Sequence, residues 1–138
     1  MRVLGLDVGD RRIGVALSDA LGVTAQRLTV ITRSEPARDV QVIAALASEH
    51  DVAAVVVGLP LTMRGELGEQ ANRVMTFVDT LRRAVRCPVP VWDERLTTVQ
   101  GERALLATDT PRQKRKRLID QVAAQLILQA YLDAKTQR

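Results

Sequence analysis

The chain has 138 residues, 46% hydrophobic and 26% charged, the balance of a soluble globular domain long enough to bury a core unaided. One cysteine and one histidine exclude an internal disulfide and a zinc ligand set, and no apolar run approaches the ~20 residues of a membrane span. The net charge of +4 is concentrated: residues 112–117, RQKRKR, carry five positive charges, and the other 132 residues sum to −1.

Residues 3–8, a short apolar run stopped by Gly9, predict a buried strand. Residues 12–18 alternate, with Ile13, Val15 and Leu17 on one face, and GDRR is the short connection of a hairpin. Gly22 allows a turn into VTAQRLTVI, a third strand, so the chain opens as an antiparallel meander. Ser34, Glu35 and Pro36 signal a helix start; Val40, Ile43, Ala44, Leu46 and Ala47 carry it to about His50. The run VAAVVVG, residues 52–58, predicts a central parallel strand covered on both faces. A glycine-bearing loop, LPLTMRGELGE, leads to a second amphipathic helix through Ala71, Val74, Met75, Phe77, Val78 and Leu81. PVPVWDE predicts a fifth strand, and Pro88 and Pro90 favour an edge position for it. Thr97 and Gln100 resemble a capping box for a short helix through Leu106. ATDTP then breaks the chain, and a long last helix runs from the basic segment to about Ala134. The expected fold class is α/β, a five-stranded mixed sheet flanked by helices: a three-strand antiparallel meander, then parallel strands. One domain spans residues 1–138 in this reading. Asp7 and Asp10 interrupt any signal-peptide pattern, so the expected location is the cytoplasm, with no membrane partner.

Asp7 stands between Leu6 and Val8 in the first strand, where an ionised acid costs several kcal/mol unless something positive meets it. In such sheets ligands collect at the carboxyl ends of the parallel strands. Asp7 falls near the end of the first strand and Glu94 just past the end of the fifth. On the last helix, at ~100° per residue, the apolar arc runs through Val122, Leu126, Ile119, Ala123, Ile127 and Tyr131. Gln121, Gln125 and Gln129 form an opposing polar stripe, and Asp120 falls on the inward shoulder of the arc. Taken singly, each acid is as well explained as a buried carboxylate satisfied by an arginine or a helix amide. Converging at one sheet end, they repel by ~4 kcal/mol per pair at ~4 Å and an effective dielectric near 20, with no Lys or His embedded beside them. Divalent cations relieve that repulsion. Oxygen ligands alone point to magnesium or manganese, and two such ions suit phosphodiester hydrolysis.

Four stretches in order, GLDVGDRRIGVALSD, GLPLTMRGELG, DERLTT and IDQVAAQLILQAYL, resemble the YqgF (RuvX) family over essentially the whole chain. That family is bacterial, has the ribonuclease H-like fold, and is described as Holliday junction resolvase-like and as pre-16S rRNA nucleases. The resemblance implies a phosphodiesterase dependent on Mg2+ or Mn2+, with Asp7, Glu94 and Asp120 as catalytic and metal-binding acids. It favours pre-rRNA as the partner, in maturation of the 5′ end of 16S rRNA, over structured DNA such as a Holliday junction. Nuclease relatives of this fold often use a fourth acid near the third. Here only Asp133 follows on the helix, too far along to join the site.

The basic run suits a polyanion held by its backbone, so Arg112, Lys114, Arg115, Lys116 and Arg117 are expected to grip phosphates; a solvated helix start explains it equally well. Aromatic content of 2% excludes a base-stacking platform. Arg95 has two equal readings, a phosphate contact or a partner for Asp93, and Asp93 itself reads as a turn acceptor. Arg11 and Arg12 fall in the first hairpin, where solvation is the first reading and substrate contact the second; Asp10 is a turn residue. Gly65 and Gly68 should leave their loop mobile beside the substrate, while His50 and Cys87 are bystanders. Two rivals stand beside the nuclease. GLDVGDRRIGVA also resembles the phosphate loop of the actin and sugar-kinase fold, which needs two such domains. A nuclease-like fold can also bind RNA or a protein without cutting. Junction resolution needs paired active sites, hence a homodimer, for which the sequence shows no self-complementary patch.

Overall fold

The computed structural model describes residues 1–96 and 112–136, with side chains of the last helix described from residue 117. The expected helix over 97–106, the ATDTP break, and the side chains of Arg112, Lys114, Arg115 and Lys116 lie outside the described residues. The elements are β1 (Val3–Val8), β2 (Arg12–Ser18), β3 (Ala25–Thr32), α1 (Pro36–Glu49), β4 (Ala54–Leu59), α2 (Glu69–Ala84), β5 (Val91–Asp93), a 3-10 turn (Glu94–Leu96) and α3 (Arg112–Thr136). The sheet order is β3-β2-β1-β4-β5. β1–β2 and β2–β3 are antiparallel, β1–β4 and β4–β5 parallel, as the α/β reading expects. Among the described residues no helix is long and apolar enough to cross a membrane.

Period-two alternation gives the sheet two unlike faces. Leu4, Leu6 and Val8, with Ile13, Val15, Leu17, Val55, Val57 and Leu59, pack against Val40 and Ile43 of α1 and Val74, Phe77, Val78 and Leu81 of α2. Each such side chain, fully buried, stabilises the fold by roughly 1.5–3 kcal/mol. The other face is built from small residues, Gly5, Gly14, Ala16, Ala54 and Gly58, and α3 covers it with Ala124, Leu128 and Leu132. The approach is close. A Cβ on Gly5 would stand 2.7 Å from Leu128 Cβ, and one on Gly14 would overlap the Asp120 carbonyl.

That close approach corrects the expected orientation of α3. Its buried residues are Ala123, Ala124, Ile127, Leu128 and Leu132, while Val122 and Leu126 are only half-buried. The inward face is therefore turned by about one residue, roughly 100°, from the arc read in the sequence. A glycine-lined surface admits the alanine side of the helix most closely. The glutamine stripe is also put to use. Gln125 Nε2 donates to the Ala25 carbonyl (3.0 Å), Ala25 N–H donates to Gln129 Oε1 (2.9 Å), and Gln129 Nε2 donates to the Val23 carbonyl (2.9 Å). Asp120 shares one ridge with Ala124, Leu128 and Leu132 and so points at the sheet.

Smaller departures have local causes. β3 starts at Ala25, not Val23, because Asp19 Oδ1 accepts from Val23 and Thr24 N–H and holds both in the turn. Those amides keep the Asp19 carboxyl below its ordinary pKa. β5 shrinks to three residues, with Pro88 and Pro90 ahead of it, their carbonyls accepting from Val55 and Val57. At the start of α1, buried Asp39 accepts from Ser34 N–H (3.0 Å) and pairs with Arg33 (3.2 Å). Arg33 in turn donates to the Gly9 carbonyl (3.0 Å) and lies over the Phe77 ring, fixing the turn that follows Asp7.

Gly14→Ala sets a Cβ against helix backbone and should cost about 3 kcal/mol or more of unfolding free energy. Gly58→Ala first meets Ile127 Cδ1 at 2.5 Å, the end of a side chain that can rotate, and should cost less. Urea denaturation of the two variants orders them; equal losses would contradict this packing.

Candidate active site

Asp7 is buried, 7% exposed, on the face of β1 that α3 covers. Both neighbouring strands offer it glycine. Gly14 is its direct partner on β2, and Gly58 of β4 follows the Leu6–Val57 pair on the other side. With no side chain on either flank, other elements can pack over the carboxylate at the carboxyl end of β1. Two elements do so. The Asp120 backbone lies over Gly14, and a Cβ at Gly58 would stand 3.2 Å from Glu94 Cγ. Glu94 is half-buried in the 3-10 turn that ends β5. The chain backbone thus brings Asp7, Glu94 and Asp120 around one spot.

Their side chains do not form a ready ligand cluster. Among the described residues, no three His, Cys, Asp or Glu groups could hold a metal ion together. Asp120 is turned to Arg12, whose Nε donates to Oδ2 at 2.7 Å, with the two side chains 28% and 17% exposed. The sequence reading found no Lys or His beside the acids; the cation present is Arg12. Its signal was the alternation of β2: Arg12 shares a face with Gly14 and Ala16, and Gly14 is paired with Asp7. A turn arginine reads more readily as solvated.

Asp93 and Arg95 form the second ion pair of this region. Asp93 Oδ1 accepts from Arg95 N–H (2.9 Å), and its Oδ2 accepts from Nη2 (2.7 Å). Hydrogen bonds from Arg95 hold the Asp93 carboxyl below its ordinary pKa, and the carboxylate raises that of Arg95. Of the two readings of Arg95, partner of Asp93 is the one the structure builds. Arg95 Nη1 also donates to the Met63 carbonyl at 3.4 Å, and both terminal nitrogens lie 3.0 Å from where a Cβ on Gly65 would be. Gly65 has φ +81°. It serves a left-handed turn under a guanidinium. Thr62 closes that turn through its N–H to Glu66 (2.9 Å), its carbonyl from Gly65 (2.8 Å) and its hydroxyl from Glu66 N–H (3.1 Å). Met63 stands 90% exposed at the tip.

The remaining candidates are spread around this centre. Arg11 is exposed, its carbonyl accepting from Arg33 N–H at 2.9 Å, and exposed Asp10 faces Arg73 at 3.5 Å. Arg117 is exposed on α3, and Asp133 accepts from Gln129 at the far end of that helix. Cys87 lines a cavity of about 600 Å³ with Ala44, Ala47, Val52 and Arg86, beyond the amino end of β4. Burial pushes its thiol pKa up, which leaves it a poor nucleophile.

A family model described as "RuvX: Holliday junction resolvase" matches residues 1–134. The chain belongs to the RuvX family. A RuvX relative from Halothermothrix orenii is 51% identical over 133 residues, covering 96% of this chain and 95% of its own, and is named "Putative pre-16S rRNA nuclease". One from Clostridium botulinum strain Hall, with the same name, is 48% identical over 134 residues, covering 97% and 98%. Among solved structures, RuvC of Thermus thermophilus in complex with Holliday junction substrate superposes with a TM-score of 0.60 at 19% identity, covering 99% of this chain and 96% of that one. The fowlpox virus Holliday junction resolvase gives 0.53 at 10% identity, covering 97% and 99%. At these identities the likeness is one of fold, and it is the ribonuclease H-like fold expected.

Asp93→Asn should free Arg95 and speed hydrogen exchange at the Gly65 and Glu66 amides of this RuvX chain by about fivefold, the scale of a partly exposed ion pair. Because the folded Asp93 carboxyl is depressed, the clamp is complete above the unfolded value of about 3.9. It is lost as pH falls from there through the lower folded value. Exchange of the wild type compared with the variant at pH 6 checks it, and equal rates would reject the clamp.

Proposed function

We propose that this RuvX chain is a divalent-metal-dependent nuclease that hydrolyses phosphodiester bonds in 5′-end maturation of pre-16S rRNA. It would act in the cytoplasm, as one domain of residues 1–138. What supports this reading is that Asp7 lies between Gly14 and Gly58, with the Asp120 backbone over the first and Glu94 Cγ near the second. The donor set suits a hard cation, Mg2+ or Mn2+: three carboxylates, with His50 and Cys87 elsewhere. Asp7, Glu94 and Asp120 would hold it, Asp120 on leaving Arg12. Bound there, such an ion would polarise the scissile phosphate and lower the pKa of an attacking water.

The chain's own residues then have separate tasks. Asp7 stands on the central strand of the sheet and would fix the floor of the site. Arg112, Lys114, Arg115, Lys116 and Arg117 begin the helix that bears Asp120, so a phosphate backbone gripped there runs toward the acids. Arg11 and Arg12 add cations at the first hairpin. Arg95 acts through the loop it clamps. The names of the curated relatives, at about half identity over nearly the full length, support an RNA substrate. Holliday junction resolution is the second reading, favoured by the family description and requiring two copies of the chain.

End-labelled RNA carrying a 16S 5′ leader should be cut in manganese, and Asp7→Asn should reduce the rate by about 100-fold or more. A four-way DNA junction in parallel decides the substrate, since cutting of the junction alone favours the second reading. Binding without cutting of either would make the protein a binding module. Neutralising Arg112, Lys114, Arg115 and Lys116 together should flatten the salt dependence of RNA binding, by about 0.7 in log–log slope for each phosphate no longer gripped. An unchanged slope would remove the segment from the interface.

A further inference from the structure

One arginine holds the turn between β1 and β2. Val8–Ile13 is the last rung of the β1–β2 ladder, and Arg12–Thr32 is the corresponding rung between β2 and β3. Past those rungs, Gly9 N–H closes the turn on the Arg12 carbonyl at 2.9 Å. Arg33 N–H donates to the Arg11 carbonyl (2.9 Å), and Arg33 Nη1 donates to the Gly9 carbonyl (3.0 Å), so one residue grips the turn on both sides of Asp10. The Arg33 side chain is itself held. Its Nε donates to Asp39 Oδ2 at 3.2 Å, and its guanidinium lies 5.1 Å from the centre of the Phe77 ring. Asp39 is 1% exposed. A buried ion pair is often no more stabilising than apolar residues of the same volume. What this one adds is a fixed direction for a planar fork that meets a carboxylate, a carbonyl and a ring at once.

The turn so held presents Arg11 to solvent, four residues past Asp7, while Asp10 beside it faces Arg73 of α2 at 3.5 Å. An arginine whose backbone is fixed in advance loses less freedom when it meets a phosphate. We infer that Arg33 is a positioning residue for nucleic-acid binding, which pre-sets the first hairpin turn so that Arg11 meets a backbone phosphate of the substrate. The inference rests on the reading of Arg11 as a nucleic-acid contact and is independent of the metal. Asp7 is secured separately by its pairing with Gly14 inside the ladder. Arg33 therefore acts on binding and not on the chemical step. A lysine cannot take its place, because a compact ammonium lacks the planar fork that spans Gly9 and Asp39.

The test is a double-mutant cycle on the full chain, read as affinity for RNA carrying a 16S 5′ leader, by fluorescence anisotropy without divalent cations. Arg11→Gln should weaken binding and lower the log–log salt slope by about 0.7, one phosphate contact. Arg33→Lys should weaken binding by about 2- to 12-fold, the scale of ordering one long side chain. In the Arg11→Gln background the same change should have no further effect, because the two residues act as one unit. Asp39→Asn, which removes the charge that holds Arg33, should reproduce this coupling at smaller amplitude. Equal losses from Arg33→Lys in both backgrounds would reduce Arg33 to a structural residue and overturn the inference, with Arg11 still a contact. Binding unchanged by Arg11→Gln would instead take the hairpin out of the interface, and the inference with it. One measurement needs no variant to fold: in the wild type without RNA, the Arg11 amide should show an order parameter near 0.85. A value below about 0.6 would mean the turn is not held, and would overturn the inference as well.

Discussion

One face of the central sheet is made largely of small residues, and the close approach of α3 depends on that. Gly5, Gly14 and Gly58 let α3 come down until the Asp120 carbonyl occupies the place of a missing Cβ at Gly14. Glycine in a strand is destabilising by roughly 0.5–1 kcal/mol relative to alanine. The loss is offset on the opposite face, where Leu4, Leu6, Ile13, Val15, Val55 and Val57 are all completely buried. The two faces thus differ: one packs large aliphatic side chains against α1 and α2, the other packs small residues against α3.

The strands were legible as short apolar runs, and in β2 as period-two alternation, bounded by glycine or proline. Asp7 was legible for the opposite reason, as an acid where the pattern demanded an apolar residue. The face of α3 was not, because apolar residues surround much of that helix and its hydrophobic side is poorly defined by periodicity alone. Only contact with a glycine surface selects Ala123 and Ala124 over Val122 and Leu126. Glutamines 125 and 129 misled similarly: a polar stripe suggests solvent, yet these amides satisfy the unpaired entry to β3.

Glycine also carried two meanings that a sequence does not separate. In the loop after β4 it suggested freedom, whereas Gly65 adopts φ +81° under the Arg95 guanidinium and belongs to a closed turn. In the strands, Gly14 and Gly58 are where a helix backbone and an acidic side chain approach. Both cases need the neighbour to be known before the residue can be interpreted. The pairing of Arg12 with Asp120 was missed on the same ground, since the two lie 108 residues apart.

The position of Asp120 on its helix explains why it needs such a partner. It lies about two turns inside α3, where the helix amides are engaged by the helix itself and the field of the amino terminus has faded. A carboxylate at the first turn could be satisfied by backbone; one facing a sheet in mid-helix cannot. It must take a cation from the sheet or from solution. β2 has one positioned to provide it, because alternation puts Arg12 on the face that Gly14 leaves open. The glycine that admits the helix therefore also exposes its acid to the arginine two residues earlier. A helix brought in by close packing thus finds the counter-ion of its acid on the strand it covers.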